Sequence, residues 1–303
     1  MPPIRAALKF LEGPPSTLRG MGFMLVSTLC VTGTSTIVRY LSADLHPFEM
    51  GFFRVFFGFL VLSPVFVRSG IQPLRTRRLG LHALRGALQV FSLLASFYAI
   101  SLIPLAQWTA LSFTSPLFAA LLAVLILGEV VGLRRTLGLV FGFAGAMVIV
   151  RPGVADVNPG VMLAVASTLV WGSVLVVIKT LARTESSMTM TLYTTIFVTP
   201  FALAAAIPFW TWPDWNQLVW LALLGAIGSL RHLSISQAFK EADATAILPL
   251  DFTKLIWAAI VGYIVFAEVP DLWTWAGGIM VFAASTYVAY REAHRKGKAA
   301  TRT

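Results

Sequence analysis

The sequence predicts an all-α polytopic membrane protein with ten transmembrane helices, arranged as two five-helix repeats of inverted topology around a central cavity. Three observations predict it. Of 303 residues, 57% are hydrophobic and 12% charged, where a soluble domain carries about 25% charged residues; the mean hydropathy is +0.81. Apolar runs of membrane-spanning length follow one another almost without pause, and the second half of the chain repeats the first in register.

A span needs about 20 mostly apolar residues to cross a hydrocarbon layer about 30 Å thick. Such runs occupy residues 20–40, 48–67, 81–102, 105–127, 133–150, 160–179, 188–209, 218–239, 244–266 and 272–290. The connections between them are short and leave no room for a soluble domain. With the N-terminus assigned to the cytoplasm, eighteen Lys and Arg fall in cytoplasmic segments, among them Arg75, Arg77 and Arg78, Arg134 and Arg135, and Arg295, Lys296 and Lys298. Two, Arg39 and Arg151, fall on the other side, and Arg54, Arg231 and Lys254 fall within spans. The positive-inside rule therefore places both termini in the cytoplasm of a multi-pass inner-membrane protein. The net charge of +10 is thereby a topology signal, not a nucleic-acid footprint. The residues before the first run are basic and contain proline without a small-residue cleavage site, so that run reads as a retained span. Cys30 is the only cysteine and lies within a span, which excludes a disulfide framework or thiolate metal site.

An offset of 139 lays residues 99–150 over residues 238–289 without a gap, with twelve of 52 positions identical. The weight rests on Phe113-Thr114, Glu129-Val130 and Gly138 recurring as Phe252-Thr253, Glu268-Val269 and Gly277. At nearly the same offset Gly22, Met24 and Leu25 recur as Gly160, Met162 and Leu163, and Ser63-Pro64 as Thr199-Pro200. Five spans are an odd number, so the second copy enters the membrane from the opposite side. Residues 18–150 then form the first repeat, 159–291 the second, and 292–303 a basic cytoplasmic tail. Glu129 and Glu268 are expected on opposite faces. Inverted repeats are a common construction of secondary transporters, in which two arrangements of the halves open a midplane site to either side.

Thr109-Ala-Leu-Ser-Phe-Thr-Ser-Pro-Leu-Phe-Ala-Ala120 followed by Leu127-Gly-Glu129 resembles the first half of EamA-type carriers of the drug/metabolite transporter superfamily. Pro249-Leu-Asp-Phe-Thr-Lys-Leu-Ile-Trp-Ala-Ala259, Phe266-Ala-Glu268 and Gly277-Gly278 are similar to the equivalent stretch of the second half. The resemblance extends over about residues 18 to 291. It implies a ten-helix bundle whose first four spans in each half line a central cavity, with spans five and ten peripheral. Members of that family move amino acids, cofactors and other small metabolites, often outward. One departure is Arg231, which stands before the span-eight histidine, where many relatives carry a small residue.

Charges at mid-membrane cost about 2.5 to 3.5 kcal/mol each on insertion scales, so they face a cavity or a partner. Counted from Ala242 at 1.5 Å per residue, Arg231, Asp251 and Lys254 lie about 14 to 18 Å deep on antiparallel neighbours, where they can meet. Asp251 and Lys254 share a helix face at i, i+3. Two cations and one anion leave a positive surplus suited to a substrate carboxylate or phosphate; a structural ion pair fastening spans eight and nine is the alternative. His232 titrates near neutrality and can couple transport to a proton with Asp251 as partner, or serve as an interhelical hydrogen-bond donor. Arg54 is expected to extend outward toward Glu49 as a structural group.

Tyr98, Trp108, Phe113, Trp171, Phe252 and Trp257 fall in spans expected to line the cavity, with Trp171 and Trp257 deepest, and serve either stacking on a flat substrate or plain packing. Trp210, Trp212, Trp215 and Trp220 read as an interfacial belt. Pro64, Pro116, Pro200 and Pro249 interrupt spans and are candidate kinks or hinges. Gly138-x-x-x-Gly142 permits close helix approach within the bundle or between protomers, so the chain is read as a monomer or homodimer.

The sequence contains no HExxH, GxSxG or Walker A motif and no cysteine cluster, which argues against an enzyme and implies no cofactor and no metal. The expected function is a secondary transporter of amino acids or related zwitterions and anions, working by alternating access, with export as its direction. An uptake carrier for a flat cofactor such as a flavin, and a lipid-flipping or structural membrane protein, are the alternatives. Its partners are then a small-molecule substrate and the bilayer, with protons added where His232 couples transport and absent where it only bonds a neighbouring helix.

Overall fold

The computed structural model describes residues 16–69, 76–127, 133–151, 158–181, 184–185, 187–242 and 247–300. Every regular element among them is helical: α1 Thr17–Leu41, α2 Pro47–Ser69, α3 Leu79–Leu102, α4 Leu105–Ser112, α5 Ser115–Leu127, α6 Leu133–Val150, α7 Pro159–Leu181, α8 Ser187–Ala206, α9 Trp215–Glu241, α10 Thr253–Phe266 and α11 Leu272–Ala300. Short 3₁₀ turns at Ile207–Phe209 and Leu248–Phe252 extend α8 and precede α10.

Among the described residues six helical stretches are long and apolar enough to cross a membrane: Thr17–Leu41, Leu79–Leu102, Leu105–Ile126, Pro159–Ile178, Thr189–Phe209 and Trp215–Ile235. Thr136–Val150 and Leu272–Val288 are shorter apolar helices. The sequence reading expects ten spans. Side chains in parts of α2, α6 and α11 lie outside the described residues, so their full runs fall outside this count, and α10 keeps 14 residues of regular helix because a 3₁₀ turn takes up the start of its run.

The run at residues 105–127 is broken at Phe113 and Thr114, whose hydroxyl donates to Leu111 O at 2.7 Å. Pro116 follows two residues on and lacks the N–H that would bridge the break. At the positions 139 residues later, Thr253 donates to Leu250 O, also at 2.7 Å, and again marks the start of a new α-helix after Pro249. By contrast, α2 and α8 run through Pro64 and Pro200 without an interruption.

In the bundle α1 packs along α9 and α3 along α7; α2 lies on α9 and α8 on α3; α10 lies on α1 and α5 on α7. The α2–α8 and α6–α11 pairs complete it. The α6–α11 crossing depends on missing side chains: a Cβ on Gly142 would meet Ala284 Cβ at 2.8 Å, and one on Gly145 would meet Gly277 O at 3.0 Å. The Gly138/Gly142 face is thus occupied by contacts within the chain.

Ion pairs tie the helix ends. Arg19 meets Glu241 at 3.0 Å where α1 begins and α9 ends. The backbone N–H of Ser16, with the Gln237 amide and the Arg19 guanidinium, holds the Glu241 carboxyl below the usual glutamate value. At the other end of α1, Arg39 meets Glu268 at 3.0 Å, and Arg151 pairs with Asp271. Glu129, the offset counterpart of Glu268, lies outside the described residues.

A polar cavity within the helix bundle

Close approach of α2 and α9 positions the first wall of a central cavity. A Cβ on Gly225 would lie 2.5 Å from Phe57 Cβ and 2.8 Å from Gly58 N, so the two backbones cross where both side chains are absent. Ser229 seals the crossing by donating to Gly58 O at 3.3 Å. One turn nearer the start of α2, the Arg54 guanidinium lies against bare backbone at Gly228. The cavity beside it has a volume of about 400 Å³.

Of the residues the sequence singled out, Arg231, His232, Asp251, Lys254, Trp108, Phe113, Trp171 and Pro116 line this cavity. Lys254 Nζ binds Asp251 Oδ2 at 2.7 Å and stands 4.2 Å from the centroid of the Phe113 ring. The lysine charge is thereby answered twice, by a carboxylate and by an aromatic face. Among the described residues no hydrogen bond joins His232 to Asp251, whose Oδ2 accepts from Lys254.

Three expected residues lie elsewhere. Tyr98 packs at the entrance to α2, with ring centroids 5.6 Å from His46 and 6.0 Å from Phe48. Burial pushes the pKa of His46 down, and its ring stacks on Phe209 at 3.9 Å. Trp257 is half-buried one turn after Lys254 and off the cavity. Phe252 stacks on Phe113 at 6.0 Å and meets Phe282 at 4.7 Å; it lines a separate shallow groove with Ile279, Ala283 and Tyr287. Phe282 and Thr286 border both spaces. The side chains of Pro64 and Pro249 lie outside the described residues, and Pro200 sits within α8 away from the cavity lining.

Arg54 departs from its expected place. It lines the cavity and does not reach Glu49. Residues i and i+5 on a helix are about 140° apart, so the two cannot share a face. Glu49 is fully buried and instead accepts from Thr211 N at 3.3 Å and Thr211 Oγ1 at 3.1 Å.

The sequence reading takes Ser92, Ser112 and Ser115 only as neutral counterparts of the charged residues and places no ring of small hydroxyl residues in the cavity. Ser92, Ser112 and Ser115, the offset counterparts of Arg231, Asp251 and Lys254, line the same cavity, joined by Ser96, Ser167, Thr168 and Ser285. Several donate to backbone carbonyls, as Ser92 does to Ser167 O at 2.9 Å and Ser285 to Phe113 O at 2.7 Å, leaving hydroxyl oxygens as acceptors for a guest. Their spacing at i, i+4 for Ser92 and Ser96 and i, i+3 for Ser112 and Ser115 was the available signal. One wall is therefore neutral and hydroxylated, the other charged. Among the described residues, four polar atoms of lining residues, Arg54 Nε, Gln89 Oε1, Trp108 Nε1 and Arg231 Nε, are buried with no protein partner.

A polar cavity held inside a bundle of apolar helices defines a membrane transport protein. The EamA-like transporter family matches residues 18–151 and again residues 158–290, and the chain belongs to that family. It is similar to an S-adenosylmethionine uptake transporter of Rickettsia bellii, with 33% identity over 90% of this chain and 94% of that one. A riboflavin transporter of Vibrio cholerae is 32% identical over 91% and 94% of the two chains. A pseudopaline exporter of Pseudomonas aeruginosa is 25% identical over 88% and 94%. A crystal structure of 20% sequence identity superposes with a TM-score of 0.60, over 92% of this chain and 98% of that one, and shares the fold.

Proposed function

We propose that this chain is a secondary carrier of ten spans, with residues 18–150 and 159–291 as inverted halves that alternate the central cavity between the two sides of an inner membrane. The packing supports this reading. Under the 139-residue offset the pair α1–α9 becomes α7–α3, α2–α9 becomes α8–α3, and α10–α1 becomes α5–α7. The break at Thr114 has its copy at Thr253. Each of these threonines also meets a threonine of the first helix of a half, Thr114 with Thr168 and Thr253 with Thr28, both at 3.0 Å. The asymmetric distribution of Lys and Arg supports cytoplasmic termini.

The observation that carries the substrate reading is one cavity holding Trp108 and Trp171 together with Arg231, Asp251 and Lys254. Such a lining suits a small organic metabolite with a flat ring and an acidic or zwitterionic end. A flavin-like cofactor matches the ring, in line with the riboflavin transporter among the relatives. S-adenosylmethionine also has a ring and an amino-acid end, but its sulfonium and ammonium against one carboxylate make it a net cation, which the arginine-bearing wall repels. Uptake is the favoured direction, as in the first relative. Amino-acid export is the second reading, and the Lys254–Asp251 pair favours it because a zwitterion can bind to both members. Counterflow by the purified protein in liposomes, with flavins, nucleosides, amino acids and S-adenosylmethionine as the panel, tests the proposal. Accelerated exchange of one flat, acidic compound is expected; no exchange of any compound by folded protein overturns it. Exchange insensitive to an imposed pH gradient removes His232 and Asp251 as proton carriers.

A further inference from the structure

Arg54 and Arg231 bring two guanidiniums to one face of α9. Gly228 and Arg231 are spaced i, i+3, so they share that face. A Cβ on Gly228 would meet Arg54 Nε at 3.3 Å and Nη2 at 3.4 Å, which seats the Arg54 guanidinium one turn from Arg231. Both residues line the cavity. Neither forms an ion pair among the described residues, and the Nε atoms of both are buried without a hydrogen-bond partner. The nearby carboxylate, Asp251, is engaged by Lys254 at 2.7 Å. Asp251 also attracts Arg231, but one carboxylate faces Arg54, Arg231 and Lys254, a surplus of positive charge in the cavity that a bound anion would answer.

We propose that Arg54 and Arg231 form a paired-guanidinium subsite for an oxyanion, a carboxylate or phosphate group on the metabolite carried. Two planar forks match the in-plane lone pairs of such a group, with each bond charge-assisted. Gln89 and Trp108, with unsatisfied polar atoms in the same cavity, are placed to bind the polar edge of the attached ring. The transport role of the subsite rests on the carrier reading; its binding of an oxyanion does not. Gly228 is a positioning residue for this subsite, since a Cβ there would crowd the Arg54 guanidinium at 3.3 Å and shift it.

The test is thermal melting of the full-length protein in detergent at constant ionic strength, with phenyl phosphate, benzoate or benzyl alcohol added to a chloride buffer. These probes share a ring and differ in charge. Saturable stabilisation by one or both anions and none by the alcohol is expected, and the lower midpoint identifies phosphate or carboxylate as the better fit. Arg54→Gln and Arg231→Gln should each weaken the response about tenfold or more, while melting in chloride no lower than the wild type. Gly228→Ala keeps both charges and should also weaken the response. An equal anion response in wild type and both Gln variants overturns the subsite, as does a response to benzyl alcohol matching that to the anions. Anion stabilisation in a protein that catalyses no counterflow supports the subsite and sinks the carrier reading. Normal counterflow in both Gln variants, without anion stabilisation of the wild type, sinks the subsite alone.

Discussion

At the scale of single residues, Lys254 changes meaning once its neighbours are seen. Sequence spacing allowed it to pair with Asp251 or to stand as a surplus cation; the 2.7 Å bond to Asp251 and the Phe113 face leave the two arginines as the surplus instead. Removing one member of a buried pair is more damaging than removing both. Asp251→Asn should therefore lower the melting temperature of the purified protein more than the double change Asp251→Asn with Lys254→Met does. The side chain of Asp251 is 30% exposed, toward the cavity, so the single change should cost less than the about 3–5 kcal/mol of a fully buried pair. Equal melting of the single and double variants would mean that the pair is not energetically coupled. The identity of the mid-membrane charges was legible because charge is rare in apolar runs. Their pairing was not, because partners lie on different helices and the rotation of each helix is set by packing. Arg54 illustrates this: its place depends on Gly58, Gly225 and Gly228 letting α2 touch α9, and glycines in a span give no sign of which neighbour they will meet.

Among the elements, the 139-residue offset foretold more than hydropathy did. It matched Phe113-Thr114, where an α-helix breaks and restarts, with Phe252-Thr253, where a 3₁₀ turn passes into an α-helix, yet the reading by apolar runs treated each stretch as continuous. Hydropathy records burial in lipid and is blind to a broken hydrogen-bond ladder whose freed groups are satisfied by threonine hydroxyls. The end of α10 adds a second case. Ala267 closes the helix in the left-handed region at φ 54°, its N–H bonding Tyr263 O at 3.1 Å while Glu268 N–H reaches Gly262 O at 2.9 Å. A non-glycine residue in that conformation costs roughly 1 kcal/mol. Its offset counterpart in the sequence is Gly128, which lies outside the described residues. Ala267→Gly should accordingly stabilise the protein by up to about 1 kcal/mol, read as a higher melting temperature in detergent. A lower one would show that the alanine methyl is needed for packing.

Over the whole molecule, the proposed alternating access requires that one end of the bundle open while the other stays closed, and a cluster of bonds at one end is the candidate latch. Glu268 Oε1 takes Arg39 Nη2 at 3.0 Å from α1, and its Oε2 takes Leu105 N at 2.9 Å from the start of α4. Arg39 also donates to Ile100 O at 3.2 Å on α3. One carboxylate thus joins α1, the end of α10 and the α3–α4 corner at the end of α1 remote from Glu241, and under the proposed alternating access these bonds must break for the cavity to open there. Neutralising Glu268 weakens charge-assisted bonds to both partners and should shift the population toward the state open at that end. In a Cys30→Ser, Ser35→Cys background, the new thiol lies in the cavity lining. Glu268→Gln should then raise its labelling by a membrane-impermeant reagent several-fold from the side opposite the termini. The inverted repeat makes the complementary demand that Glu129→Gln raise labelling from the side of the termini. If both substitutions act from the same side, the two glutamates do not occupy opposite ends and the inverted arrangement fails, whatever substrate the cavity holds.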